Sequence, residues 1–400
     1  MSKTKAIIMA AGKGTRLSPL TETVPKPIVR SMGTSTLEEN LDNLADVADK
    51  VVLVVGYLKE KIIDYIGDNY HGLEIKYVDQ HKLKGTAHAA YSAKEIFGDS
   101  QIIILNGDDV YEKNVIEKIA SLEAGGVAGK VTENWQNYGI LKADSEGHFE
   151  KIVEKPKEFV GDLVNIGCYK VDSAFFDYFK KIKLSERGEY EITDMLTEYA
   201  KDHDVKIVKV ESGWYPNSYP WDLLDYTEKK IMTIESKVEG KIEEGATIKG
   251  DLILGQNSVI KSGAYLEGNF YIGENCEIGP NCRMKGFGSF DNGAVIGNAV
   301  DITRSIIGKG TKIKHLAYVG DSVVGNKVSI GAGSVIANLR HDEQNIKFKV
   351  NGKLIDTSRR KMGAVIGDDV RLGANTTVYP GTKIGSGKTT KPGDIVKYQL

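Results

Sequence analysis

Aliphatic side chains recur every six residues through the last two-fifths of the chain. Ile242, Ile248, Leu254, Ile260, Leu266, Ile272, Ile278 and Met284 keep the spacing without a gap. It returns at Ile296 and Ile302, at Ile307 and Ile313, at Val324, Ile330 and Ile336, and at Ile366, Leu372, Val378 and Ile384. A helix repeats every 3.6 residues and an ordinary strand every two, so neither sustains this period. A parallel β-helix does, because each hexapeptide forms one flat side of a triangular coil and turns one aliphatic residue inward. Four positions after each aliphatic the residue is mostly small, as at Ala246, Ser258, Ala264, Cys276, Cys282, Ser334 and Thr376. An inward-facing corner with little room demands that.

Residues 1–230 carry a different pattern. Short β-branched or aliphatic runs at Ala6–Met9, Val51–Val55, Ile75–Val78 and Ile102–Leu105 alternate with amphipathic stretches around Leu37–Ala48, Lys59–Ile66 and Ala87–Phe97. The alternation predicts an α/β domain, a mostly parallel sheet with helices on its faces. Ligands of such sheets bind beyond the carboxyl ends of the strands, so the loops that follow these four runs are the candidate site. The two patterns divide the chain at 1–230 and 231–400, and 400 residues exceed the usual limit for one core.

Composition narrows the function classes. A formal net charge of −2 argues against nucleic acid as the main partner. Lys229-Lys230 reads as solvated surface, while Arg359-Arg360-Lys361 is either that or a set of phosphate partners. No apolar run is long enough to span a membrane, and Ile7–Ala11 is too short for a signal peptide. Three cysteines make no disulfide framework, and Cys276 and Cys282 read as packing. The expectation is a cytoplasmic protein.

The first strand is followed by Ala10-Ala11-Gly12-Lys13-Gly14-Thr15-Arg16-Leu17. Small residues let backbone N–H groups approach phosphate oxygens, and Arg16 adds a cation suited to bidentate phosphate contact. The loop is neither a Walker loop nor a dinucleotide fingerprint. Pro25-Lys26-Pro27 then stiffens the backbone around a single lysine. This combination resembles the signature of sugar-1-phosphate nucleotidyltransferases, and further segments are similar to that family in the same order. Gln80 with Gly85-Thr86-Ala87 looks like its nucleobase-reading loop, and Asn106-Gly107-Asp108 its Mg²⁺-binding strand end. Tyr138-Gly139, Glu154-Lys155-Pro156 and Asn165-Ile166-Gly167 look like its sugar-binding segments.

The resemblance implies attack by a sugar-1-phosphate oxygen on the α-phosphorus of UTP or dTTP, with release of pyrophosphate. Arg16 and Lys26 would be the catalytic cations. Ala11, Gly12, Gly14, Gln80, Gly85 and Thr86 would hold the nucleotide, and Gly139, Glu154 and Asn165 the sugar. Asp108 would be a metal ligand. Many relatives carry a second metal-binding aspartate where this chain reads Trp214-Tyr215-Pro216-Asn217, so Asn217 is the substitute candidate.

The breaks in the six-residue spacing carry a second resemblance. His315-Leu316-Ala317-Tyr318-Val319-Gly320-Asp321, then Gly331-Ala332-Gly333 and Asn338, open a polar excursion of about twenty-five residues. Such an insertion is usually a loop on the binding face. The segment resembles the acetyltransferase half of bifunctional glucosamine-1-phosphate acetyltransferase/N-acetylglucosamine-1-phosphate uridylyltransferases, its archaeal members above all. The resemblance implies a left-handed parallel β-helix, acetyl-CoA as co-substrate, His315 as general base, Tyr318 and Asn338 as sugar contacts, and a homotrimer. A histidine of ordinary pKa suits removal of a proton from an amino-sugar ammonium. Two expected phosphate contacts differ, since Arg283-Met284-Lys285-Gly286 and Gln344 stand where bacterial relatives carry other residues. Two alternatives stay open on sequence: a single-activity nucleotidyltransferase with the solenoid as trimerisation scaffold, and a non-enzymatic regulatory subunit.

Overall fold

The computed structural model describes residues 4–98 and 100–398. The chain divides into two compact units, one of residues 1–13 and 36–216, the other of residues 14–35 and 217–400.

The first unit is a ten-stranded sheet with helices packed on it. Its centre is parallel: Thr4–Met9 lies between Ala48–Val55 and Gln101–Asn106, and Leu73–Asp79 flanks Ala48–Val55. These strands are nearly continuous aliphatic runs because both faces are buried. Leu163–Asp172 then joins Gln101–Asn106 antiparallel. The parallel strands end together, which brings Ala10-Ala11, Gly56, Gln80 and Gly107-Asp108 to one edge of the sheet.

Two helices differ from the sequence expectation. The stretch expected over Leu37–Ala48 is a helix at Thr36–Leu44, and Ala48 already opens a strand paired with Thr4. The stretch from Ala87 to Phe97 is a helix at Thr86–Ser92 followed by one 3₁₀ turn at Lys94–Ile96. Sheet pairing overrides local helix preference in the first case.

In the second unit, short parallel strands stack in two long ladders. Tyr265 faces Arg283 and Glu277 faces Val295, so each rung lies eighteen residues beyond the last, three six-residue steps. The six-residue aliphatics form one core inside these ladders, with Cys276, Cys282, Ser258, Ser334 and Thr376 buried at the corners. Opposite Arg304, two residues, Gly286 and Phe287, occupy one position; from this bulge to Val335 the rung spacing is seventeen, and after the excursion it is eighteen again, as between Ala364 and Thr382. Ile242, the first aliphatic of the series, is 39% exposed, because it lies in the outermost rung. Past Ile384, the last aliphatic of the regular series, Ile395–Val396 adds a rung beside Thr377–Val378.

A second apolar cluster covers the outer faces of Phe287, Ile306, Val323 and Val365. It includes Trp221, Leu224 and Ile231 of the helix Pro220–Ile231, Leu17, Leu20 and Val29 of the segment 14–35, and Ile346, Phe348 and Val350. The last three belong to the excursion. There Lys347–Val350 and Lys353–Asp356 form an antiparallel hairpin whose turn residues Asn351 and Gly352 both have positive φ. That conformation is the reason an Asn-Gly pair stands there.

Candidate active sites

The sequence-predicted nucleotide and sugar residues fall into two groups, one in each unit. In the first unit, the Ala11 carbonyl accepts from the Tyr57 amide at 3.1 Å and Gly12 is open to solvent. Gln80 is buried at the end of Leu73–Asp79, and its backbone amide bonds the Val55 carbonyl at 2.8 Å. Its side-chain nitrogen lies 3.0 Å from the Gly85 carbonyl and 3.1 Å from Nδ1 of His88. Gly85 has φ +101°, and a Cβ there would sit 2.5 Å from the Tyr190 carbonyl oxygen. Ala87 N donates to that same oxygen at 2.9 Å, Tyr190 N donates to Lys84 at 2.8 Å, and Ile192 N donates to the Thr86 hydroxyl at 2.9 Å. The loop Lys84–Ala87 is therefore strapped to residues 190–192.

Asp108 and Asp109 differ in kind. Asp109 is buried, accepts from the Trp214 indole at 3.2 Å, and its carbonyl accepts from the Asn40 amide at 2.7 Å. That carboxylate is spent on structure. Asp108 is half-buried beyond the strand end, next to Gly107, whose Cβ would meet the Met9 carbonyl oxygen at 2.5 Å. Mg²⁺ is commonly held by one or two protein oxygens with substrate phosphates completing its octahedron. A single hard carboxylate at a sheet edge fits that requirement. No cluster of three or more metal-binding His, Cys, Asp or Glu side chains occurs among the described residues.

The sugar-predicted residues lie around the antiparallel strands. Gly139 pairs with Glu154 across two strands, and a Cβ on Gly139 would press to 3.2 Å from the Glu154 carboxylate. Burial raises the Glu154 carboxyl, with Arg187 and Lys155 opposing; its side chain keeps solvent contact, so the shift is modest in consequence. Asn165 donates to the Tyr169 hydroxyl at 2.8 Å and accepts from the Gly167 amide at 3.0 Å, at a bulge in Leu163–Asp172.

In the second unit, Gly14 has φ +61° and a Cβ there would lie 2.8 Å from the Cβ of Lys26, so glycine lets the loop close on the lysine. Lys26 is 6% exposed, at the start of a short helix between two prolines. Arg16 is exposed, with its guanidinium carbon 5.5 Å from the Tyr219 ring centre. Tyr219 stacks on Trp221 at 4.6 Å, and Trp221 meets Phe348 at 5.7 Å. Asn217 is buried at the approach to this helix. Asp222 accepts from the Ser218 and Tyr219 amides at 2.8 Å each, closing the helix start, and burial raises its carboxyl to about 6.

The residues predicted from sequence for acetyl transfer also lie in the second unit. His315 is exposed at the end of Lys312–His315, in register with Asn298. Tyr318 and Asn338 converge over Gly320, where a Cβ would meet the Tyr318 hydroxyl at 2.7 Å and the Asn338 side-chain nitrogen at 2.6 Å. Asn338 donates to Asp321, which is 1% exposed and takes a bidentate pair from Arg304 at 2.6 and 2.9 Å. Among the excursion's cations, Arg359 pairs with Asp225 of the helix Pro220–Ile231 and Arg360 with Glu343 at 2.6 Å. The sequence reading missed Asp321 as the organiser of Asn338. It also missed the hairpin, although Asn351-Gly352 between alternating apolar residues announced it.

Comparison with known proteins finds a family match in each half of the sequence. Residues 5–222 match the nucleotidyl transferase family, and residues 266–384 match the GMPPB C-terminal domain. The chain is 39% identical over 393 residues to a bifunctional sugar-1-phosphate nucleotidylyltransferase/acetyltransferase of Sulfurisphaera tokodaii, covering 98% of this chain and 97% of that protein. It is 37% identical over 381 residues to the bifunctional protein GlmU of Methanocaldococcus jannaschii, covering 95% and 92%. The crystal structure of a UDP-glucose pyrophosphorylase complexed with UDP-glucose matches 57% of this chain and 98% of its own, with a TM-score of 0.53 and 22% identity. That last likeness is one of fold.

Proposed function

The chain belongs to the family of bifunctional sugar-1-phosphate nucleotidylyltransferase/acetyltransferases, and on that footing we propose that it acetylates glucosamine-1-phosphate with acetyl-CoA and then transfers a uridylyl group from UTP to the N-acetylglucosamine-1-phosphate so formed. The observation that carries this reading is coverage. Similarity to bifunctional relatives runs through 95–98% of the chain and so includes both sets of candidate residues.

In nucleotidyl transfer, a sugar-phosphate oxygen forms the new bond to the α-phosphorus as the bond to pyrophosphate breaks. A phosphate monoester is already ionised near neutral pH, so positioning and charge neutralisation carry the catalysis. Arg16 binds the departing pyrophosphate, and Lys26 bridges the sugar phosphate and the α-phosphate. Ala11, Gly12, Gly14, Gly85 and Thr86 hold the nucleotide and Gln80 reads its base, while Gly139, Glu154 and Asn165 line the sugar. Asp108 is the proposed carboxylate ligand of Mg²⁺ and Asn217 the proposed amide-oxygen ligand; the bound ion would neutralise phosphate charge.

In acetyl transfer, His315 takes the proton from the amino-sugar nitrogen. That nitrogen then attacks the thioester carbonyl and the coenzyme A thiol leaves. Tyr318 and Asn338 orient the sugar. We assign residues 1–230 to the first activity and 231–400 to the second, the latter as a left-handed parallel β-helix of hexapeptide repeats, consistent with its eighteen-residue rungs. A homotrimer is the proposed assembly. In its support, Val335 and Ile395 share one outward row at 39% and 63% exposure, and Leu316 beside His315 is 66% exposed. We place the enzyme in the cytoplasm, where acetyl-CoA, UTP and the sugar phosphate would have to be at hand together; no described helix is long and apolar enough to cross a membrane.

The test is pyrophosphate release from UTP, N-acetylglucosamine-1-phosphate and Mg²⁺. Arg16→Ala and Lys26→Ala should each lower the rate roughly 10²–10³-fold, as loss of one charge-stabilising donor does. A folded Lys26→Ala protein at the wild-type rate would overturn the assignment.

A further inference from the structure

We propose that His88 is a positioning residue that locks the Gln80 amide with its carbonyl oxygen facing the nucleobase, so that the site selects bases presenting a ring N–H and rejects those presenting a ring acceptor. The proposal rests on the reading of Gln80 as the base contact.

The logic begins at Gly85. A backbone carbonyl only accepts, so the side-chain atom of Gln80 that lies 3.0 Å from it is the amide nitrogen. The carbonyl cannot swing away to accommodate the opposite amide orientation. Gly85 has no room for even a Cβ, Ala89 N donates to its oxygen at 3.1 Å, and the adjoining residues are strapped to Tyr190. The second amide hydrogen then points to Nδ1 of His88, 3.1 Å away. Nδ1 must therefore carry a lone pair, and His88 is the neutral Nε2–H tautomer. Burial, aided by Lys84, lowers the His88 pKa and keeps the ring neutral.

With both amide hydrogens used within the protein, Gln80 has only Oε1 to offer a ligand. That atom accepts. Uracil and thymine carry N3–H and satisfy it, as does the ring N–H of guanine. Cytosine presents a lone pair at N3 and adenine one at N1, so each would set acceptor against acceptor. Mismatched buried polar groups of this kind are what give large discrimination. His88 sits on the helix Thr86–Ser92 with Phe179 edge-on at 6.1 Å, and its ring does not need to touch the nucleotide.

The experiment compares kcat/KM for UTP and CTP by pyrophosphate release in wild type, His88→Leu, His88→Asn and Gln80→Leu. His88→Leu removes the acceptor and should lower the UTP/CTP ratio by roughly tenfold or more, the loss of about one hydrogen bond. His88→Asn can place Oδ1 where Nδ1 stands and should keep the ratio within about threefold. If Gln80→Leu leaves the ratio unchanged, the base-contact reading itself fails. If Gln80→Leu collapses the ratio while folded His88→Leu preserves it, only the locking role fails. ¹⁵N NMR of wild-type His88 tests the same point without a variant: the Nε2–H tautomer is expected, and an Nδ1–H tautomer overturns the proposal.

Discussion

The side-chain amide of Asn351 donates to the hydroxyl of Thr15 at 3.2 Å, although 336 residues separate them. Thr15 belongs to the glycine loop that carries Arg16, and Asn351 to the tip of the excursion's hairpin. The same hairpin places Phe348 against Trp221, which stacks on Tyr219 beneath the Arg16 guanidinium. An insertion in the repeat region thus supports a cation assigned to nucleotidyl transfer.

Phe348 is fully buried in that cluster. Phe348→Ala should cost about 3–5 kcal/mol of stability, the usual range for deleting a core aromatic. Nucleotidyl transfer should fall with it, because the Arg16 loop loses its backing. Asn351→Ala, at an exposed turn where φ is +47°, should cost only about 1–2 kcal/mol from left-handed backbone strain yet raise the KM for UTP several-fold. Denaturant unfolding and pyrophosphate-release kinetics on the two variants separate these effects. A normal KM in Asn351→Ala would show that the hairpin tip does not act on the loop.

This link was not legible in the sequence, and the reason is physical. Strands such as Gln101–Asn106 declare themselves by continuous aliphatic runs, and the inner core of the repeats by its period. Both are local patterns. That residues 14–35 pack with Trp221, Phe287 and Phe348 depends on contacts between distant stretches, each of which reads alone as loop, helix or strand. The candidate site shows the same limit. The residue types at Arg16, Lys26, Gln80 and His315 were readable, but the locking of Gln80 by His88 and of Asn338 by Asp321 required a fold.

Asp321 anchors Asn338 in the group proposed for acetyl transfer. It is almost fully buried and holds Arg304 by two bonds and Asn338 by a third. Removing one partner of a buried ion pair typically costs about 3–5 kcal/mol, because the other charge is left uncompensated. Asp321→Ala should show a loss of this order in urea unfolding. Thiol release should drop as well, since Asn338 is no longer held over Gly320. Equal stability of variant and wild type would mean that Arg304 finds water or another acceptor.

Asp222 imposes a pH dependence of defined sign. Its folded pKa, about 6, lies above the ordinary 3.8 because burial disfavours the carboxylate. The folded state therefore binds the proton more tightly than the unfolded chain. The stability this group contributes is complete below about pH 4 and declines as pH rises through about 6. Asp222→Asn, which keeps an oxygen for the Ser218 and Tyr219 amides, should flatten that part of the profile and match or exceed wild type at pH 7. Thermal unfolding of both proteins between pH 4 and 7 checks it; parallel profiles would refute the assignment.

The central claim is that one chain carries two chemistries, and the most direct measurement is thiol release from acetyl-CoA with glucosamine-1-phosphate, comparing wild type with His315→Ala. His315 is exposed, so the substitution should leave the unfolding curve in place. The account predicts release that requires the sugar phosphate and falls roughly 10²–10⁴-fold in the variant, the range for loss of a general base, while pyrophosphate release from UTP is unchanged. Absence of sugar-dependent thiol release from a folded wild-type protein that still makes nucleotide-sugar would contradict it.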